Sequence, residues 1–218
     1  MKSRLLEGKV AFDAASLDWL QDAGHKIYGQ NFNARKILFA GFASIYSVVR
    51  LCHGTRAEDP ASFYQSAILP SNIEKLNQRA IQLFGDSPKV METIKSLEWY
   101  TEHNAGRIWT CLDPCECLIY DYCWKGSEYL RTIANHVGMP EKVRSLGTPT
   151  LLEFDVSVKE IGEDKVNSIA GTAIGSLYKN WKRPGSIKSP VPFAIPLLSP
   201  VLPKQIREDR QLQERPCR

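Results

Sequence analysis

This 218-residue chain has no apolar run approaching the roughly 18–20 residues that a membrane-spanning helix needs. The longest candidate, ILFAGFASIYSVV at 37–49, is shorter and carries Ser44 and Ser47. The opening stretch, MKSRLLEGKVAFDAAS, has charge but no continuous apolar core, so a secretory signal is not expected and a cytoplasmic location without membrane attachment is. Without secretion, disulfides are not expected either. The six cysteines stand at 52, 111, 115, 117, 123 and 217. Four of them follow a C-x3-C-x-C-x5-C spacing that lacks the paired C-x2-C knuckles of common zinc sites. Plain thiols are therefore expected, and no metal. There is no internal repeat and no low-complexity tract. Strong charge is missing too. The 28 basic and 24 acidic residues leave a net +4, too little for a dedicated nucleic-acid binder and no obstacle to an anionic cofactor.

What is present is an ordinary globular composition, 43% hydrophobic and 24% charged, on a chain long enough to bury a core. Residues 14–29 carry a helical pattern with Ser16 as cap and Gly29 as stop. Residues 33–43 fit a helix or a buried strand equally, being apolar nearly all round. The β-formers of IYSVVRLCH predict a strand over 45–53. A short helix over 60–68 follows, capped by Asp59 with Pro60 in its first turn. Two longer helices are predicted over 70–85, capped by Ser71, and over 87–106, capped by Ser87. GRIWTCLD at 106–113 reads as a strand, KGSEYLRTIANHVG at 125–138 as a turn and helix, and TPTLLEFDVSV at 148–158 as the clearest strand. Residues 163–181 read as helical. Prolines 196, 200 and 203 restrict the segment 192–206 to an edge strand or extended chain. Strands separated by unequal helical insertions give an α+β class. The expected organisation is an N-terminal helical segment over 1–44, a principal domain over 45–207 and a charged, frayed tail over 208–218.

The most informative stretch is VVRLCHGTRAEDPASFYQSAI at 48–68. His53, Gly54 and Thr55 place a ring donor and acceptor, a bare backbone position and a hydroxyl side by side. Histidine and threonine, two apart, share one face of a strand. Glycine lets a ligand approach the backbone closely. Together the three suit a carboxamide and a ribose hydroxyl. Arg50 and Arg56 flank them, as pyrophosphate ligands or as solvated cations.

HGT at a strand end, followed by a short helix and an I-L-P exit at 68–70, resembles the nicotinamide-binding start of ADP-ribosyltransferases of the diphtheria-toxin and poly-ADP-ribose polymerase type. The resemblance implies a split β-sheet core with helical insertions. It also implies NAD as substrate, cleavage of the nicotinamide–ribose bond, and transfer of ADP-ribose to a protein or nucleic acid, as in a toxin or defence effector. Carried over residue by residue, His53 would contact a ribose hydroxyl and the Gly54 backbone would hold the nicotinamide amide beside Thr55. Arg56 would lie near the pyrophosphate. The strand GRIWTCLD resembles the family's G-x-Y-F strand, which puts Trp109 where a stacking tyrosine is expected. In KGSEYL, Ser127 would aim donors at phosphate, Tyr129 would be the second aromatic, and Glu128 the acid that stabilises the reacting ribose. The family carries that acid on a late strand, where this chain has PFAIPLLSP and no acid at all. Glu128 is therefore a substitute, with Glu153 of LLEFDV second.

Two other readings stand beside this one. RNA 2′-phosphotransferases share the fold and an HGT-like start, but they use an R-x-H-x-H strand, and GRIWTCLD has Arg107 without the histidines. A catalytically degenerate fold that binds a nucleic acid or a protein partner fits the acid-free late strand and the mildly basic balance.

Overall fold

A computed structural model describes residues 25–26, 29, 34–112, 114, 122–171 and 194–212. The proposed helix over 14–29 and the second half of that over 163–181 lie almost wholly outside these residues. The chain divides into two units. One comprises Met1–Val49 with Ser157–Phe193, and the other Arg50–Val156 with Ala194–Arg218. Among the described residues no helix is long and apolar enough to cross a membrane.

In the first unit the ambiguous run after residue 33 is helix α1, Ala34–Ile45. The apolar ILFAGFA core fits either element, and its length decides for a helix. Phe42 packs on Tyr46 with ring centroids 4.8 Å apart. The Val158 amide donates to the Ser47 carbonyl in the same unit. Ser157 caps the short helix Val158–Ile161, and residues 163–171 are helical.

Strand β1 runs Val48–Ala57. It passes straight through His53-Gly54-Thr55, so the motif lies within the strand and not at its end, as the sequence suggested. Pro60–Tyr64 forms a 3-10 turn in which the Asp59 side chain accepts from the Ala61 amide. Helix α2, Ile73–Phe84, is capped by Asn72, not Ser71. The Ser71 hydroxyl instead donates to the Asn104 carbonyl. The single helix expected over 87–106 is two. Pro88–Ser96 (α3) keeps Ser87 as its cap, and Glu98–Asn104 (α4) starts after a break at Leu97.

Strand β2 is Ile108–Cys111. A short helix α5, Tyr122–Lys125, precedes α6, Glu128–Val137, which is capped by Ser127 and closed by left-handed Gly138. Helix α7, Pro140–Arg144, leads to β3, Thr148–Ser157. Strands β4, Ala194–Leu197, and β5, Ile206–Gln211, complete the sheet. The tail expected to fray from Glu208 is thus part of a strand as far as Gln211.

The five strands lie in the order β4-β2-β1-β3-β5. β2 is antiparallel to both β1 and β4, and β5 is antiparallel to β3. Pro196 has no amide to give to the sheet, and it sits where β4 forms the edge. The α+β class holds.

Helix α6 packs against α2, α3 and α7. Ala80, Phe84, Val90, Tyr129, Ile133, Ala134 and Val143 share that core. Full burial of an aliphatic side chain of this kind stabilises by about 1.5–3 kcal/mol, so this cluster fixes where the N-terminus of α6 sits.

Asp155 ties β1, β3 and β5 together. It accepts from Arg50 Nε at 2.9 Å and from Arg207 Nε at 2.8 Å. Its side chain is 13% exposed, against 57% and 53% for the two arginines. The Arg50 hydrogen bond, followed by that of Arg207, holds the carboxyl below its ordinary 3.8. A carboxylate with a depressed folded pKa stabilises above its unfolded value and loses that contribution as pH falls through the folded value. Asp155→Asn is therefore expected to be less stable than wild type at neutral pH. The gap should close below about pH 4 as the wild-type carboxyl protonates, which denaturant titrations at stepped pH would read directly.

Candidate functional site

The candidate site lies in the second unit and starts from His53. Its Nδ1 is 2.8 Å from the carbonyl oxygen of Trp109 on the neighbouring strand. A carbonyl only accepts, so Nδ1 carries the proton and donates. Desolvation lowers the imidazole pKa below its ordinary 6.5, outweighing the opposite pull of that hydrogen bond. The ring is therefore neutral at pH 7, and its Nε2 lone pair is left as an acceptor. That is the form needed to take a hydrogen bond from a sugar hydroxyl.

Trp109 contributes its backbone here, not its ring. In β2, alternation sends Trp109 and Cys111 to one face of the sheet and Ile108 and Thr110 to the other. Cys52 is the register partner of Cys111, so the two share a face, and His53, one residue on, leaves β1 on the face of Thr110. The indole is occupied elsewhere. Its Nε1 donates to Asn104 Oδ1 at 2.6 Å, and its face stacks on His103 at 5.5 Å. The expected stacking platform is thus replaced by a contact with the end of α4. The buried Thr110 hydroxyl donates to the Ile195 carbonyl at 2.7 Å, which fixes β2 to the acid-free β4.

Arg56 is also corrected. Its Nε, Nη1 and Nη2 donate to the carbonyls of Leu146, Trp124 and Gly147, each at 2.8 Å. A guanidinium spread over three backbone carbonyls is an internal brace, not a pyrophosphate ligand. The brace joins the end of β1 to α5 and to the turn before β3. The Cys123 thiol, pushed up to about 11 by burial, has a backbone hydrogen bond with Thr55 that pulls the other way. The segment leading into α6 is therefore docked along Thr55 and Arg56.

That docking governs the remaining residues. Ser127 accepts from the Leu130 amide as the cap of α6, so its hydroxyl is engaged in the helix. Tyr129 is 1% exposed, packs its ring 5.6 Å from that of Tyr100 and donates its hydroxyl to Asn77. It is a core residue of the helical layer, and burial raises its phenol pKa. A second aromatic wall from Tyr129 is excluded. Glu128 is exposed in the first turn of α6, two residues beyond Gly126, which lies against the Arg56 side chain. Glu153 is buried in β3 and pairs with Arg210, 2.9 Å away, without the alignment of a hydrogen bond. It alternates onto the face of Asp155, whose partner Arg50 shares the face of Cys52 and not that of His53. Of the two acids, Glu128 alone remains a candidate.

The cysteines differ from the sequence expectation. Cys52 and Cys123 are buried thiols, but Cys111 is disulfide-bonded. Among the described residues no group of three His, Cys, Asp or Glu side chains is arranged to hold a metal ion. Sequence reasoning missed Asn104 and Cys123. Their roles depend on strand register and helix docking, for which the local sequence carries no signal.

No protein-family model, no curated protein and no solved structure matches this chain.

Proposed function

We propose that the second unit binds NAD through His53, Gly54 and Thr55 and cleaves the nicotinamide–ribose bond, transferring ADP-ribose to an acceptor. The observation that carries this is the neutral imidazole anchored through Nδ1 to the Trp109 carbonyl, with Nε2 left to accept from a ribose hydroxyl. Gly54 and Thr55 follow it in the same strand and supply close backbone approach and a hydroxyl. Glu128 is exposed in the first turn of α6, two residues beyond Gly126, which lies against the Arg56 side chain next to the motif. It would stabilise the positive charge that builds on the ribose as nicotinamide leaves and orient the incoming nucleophile. His53 positions the sugar and moves no proton.

The test is nicotinamide release from NAD, followed chromatographically with a cell lysate supplied as acceptor. Wild type is expected to release nicotinamide. His53→Ala and Glu128→Gln are each expected to be slower by roughly 100-fold or more. Absence of release, together with no rise in melting temperature with NAD, would count against the proposal.

A second reading has its own support. The strand next to β2 on the far side from β1 is Ala194–Leu197, which has no acid. A domain that binds NAD, or another ribose-bearing ligand, without turning it over is consistent with that strand. It would show a melting-temperature rise with NAD and no nicotinamide release.

A further inference from the structure

Strand β5 is held to the sheet largely by charge, and this carries an inference that does not depend on NAD. Within Ile206–Gln211 only Ile206 is buried. The register sets Glu208 directly opposite Glu153 of β3. Like charges placed this way oppose strand pairing. Arg210 removes the conflict. It lies 2.9 Å from the buried Glu153 carboxylate and donates to both Glu208 oxygens at 3.0 and 3.2 Å. Next along the strand, Arg207 of β5 and Arg50 of β1 grip Asp155 of β3. Asp209 accepts from the Tyr64 hydroxyl at 2.7 Å, which ties β5 to the 3-10 turn after β1. Two further titratable groups stand near. The Cys52 side chain on β1 is within electrostatic reach of Arg50 and Arg210, and Lys204 is exposed in the turn before β5.

We propose that β5 is an acid-released strand. As Glu153, Asp155 and Glu208 protonate, it leaves β3 as a unit while the rest of the second unit stays folded. At neutral pH three guanidiniums face three carboxylates. Once those carboxyls are neutral, Arg50, Arg207 and Arg210 keep their charge and repel one another across the three strands. Lys204 adds to that repulsion, and the Tyr64 bond to Asp209 weakens as Asp209 loses its charge. The hydrogen bond from Arg50 holds the Asp155 carboxyl below its ordinary 3.8, and that from Arg210 holds Glu208 below its ordinary 4.5. Groups depressed in this way stabilise above their unfolded values and lose that contribution as pH falls through the folded ones. Release is therefore set below about pH 4. The other strands have a different anchor. Leu51, Leu152, Phe154 and Ile195 are fully buried, as is the core around α6, and apolar burial does not titrate. Departure of β5 would uncover the edge of β3 with its ladder amides unpaired, a template for another extended segment.

Hydrogen exchange of the full-length protein, read by mass spectrometry of peptic peptides, tests this. Protection is taken as the exchange rate relative to the same amides in an unstructured peptide at the same pH. Between about pH 6 and pH 3, peptides over 206–211 are expected to lose protection about tenfold or more, while those over 128–137 keep theirs. Arg210→Met leaves Glu153 and Glu208 opposed with no cation between them, and is expected to lower protection of 206–211 at pH 7. Adding Glu208→Gln should restore part of it. Protection of 206–211 that persists to about pH 3 would overturn the proposal, as would its loss together with that of 128–137 in one global transition. Arg210→Met matching wild type at pH 7 would overturn it too. The wild-type pH series decides by itself if a variant fails to fold.

Discussion

Replacing Arg56 with alanine is expected to lower the unfolding free energy by about 3–5 kcal/mol, because hydrogen bonds from a charged group are worth about 1.5–3 kcal/mol each and the acceptors are left behind. Three carbonyls, of Trp124, Leu146 and Gly147, lose their donor at once. Arg56 is half-buried, so water restores only part of what is lost. The variant also frees the segment that carries Ser127 and Glu128 from the end of β1. Arg56→Lys is expected to recover less than half of the loss. An ammonium on a flexible stem is a point donor and cannot span three acceptors fixed by a planar fork. Urea denaturation of the three proteins measures this. A loss under about 1 kcal/mol for alanine, the size of an exposed ion pair, would show that the brace is not structural.

The second large effect is expected at Gly147. Its φ is +59°, and a Cβ built there would lie 2.4 Å from both the carbonyl carbon and oxygen of Ala57 and 2.7 Å from the Glu58 amide nitrogen. Those are backbone atoms at the end of β1, and they have no rotamer by which to move away. Gly147→Ala is therefore expected to cost about 3 kcal/mol or more, from overpacking added to left-handed strain. Gly138 provides the comparison. Its φ is +78°, but a Cβ there meets nothing within 4 Å. Gly138→Ala should cost only the left-handed conformation itself, about 1–2 kcal/mol. The two melting curves separate the steric cost from the conformational one. Equal losses would mean that the backbone around Gly147 yields freely.

The parts of this fold that were legible in the sequence are those whose causes are local. Ser87 with Pro88, and Ser127 with Gly138, bound their helices as their chemistry dictates. Asp59 and Pro60 open the turn after β1. Errors arose wherever a distant partner decides. Ser71 and Asn72 are both competent caps, and Asn72 takes the role because the Ser71 hydroxyl is drawn to the Asn104 carbonyl. The end of β5, EDRQ at 208–211, reads as a charged, frayed tail, yet the strand pairs with β3. Its charges are met by Arg210 with Glu208 and Glu153, and by Arg207 with Asp155. β1 outlasts its apolar run because Arg56 is braced from outside the strand.

At the candidate site the same division holds. The three adjacent groups of His53, Gly54 and Thr55 are visible in sequence because adjacency is itself local. The faces of Trp109 and Glu153 are not. Period-2 alternation assigns a side chain to a face only when the register with the neighbouring strand is known. Tyr129 misled for a related reason. An aromatic in the first turn of a helix looks available until α2, α3 and α7 close over it.

Titration calorimetry of NAD into wild type and His53→Ala, across about pH 5–8, bears most directly on the central claim. In the proposed site the neutral imidazole would be the binding form, and desolvation lowers its pKa from the ordinary 6.5. Wild-type affinity should stay level from the upper end of this range to below pH 6.5 and fall only once the imidazole protonates. His53→Ala should bind about tenfold more weakly at neutral pH, the worth of one hydrogen bond, and show no such fall. Equal affinity in the two proteins at every pH, or no heat of binding in either, would contradict the account.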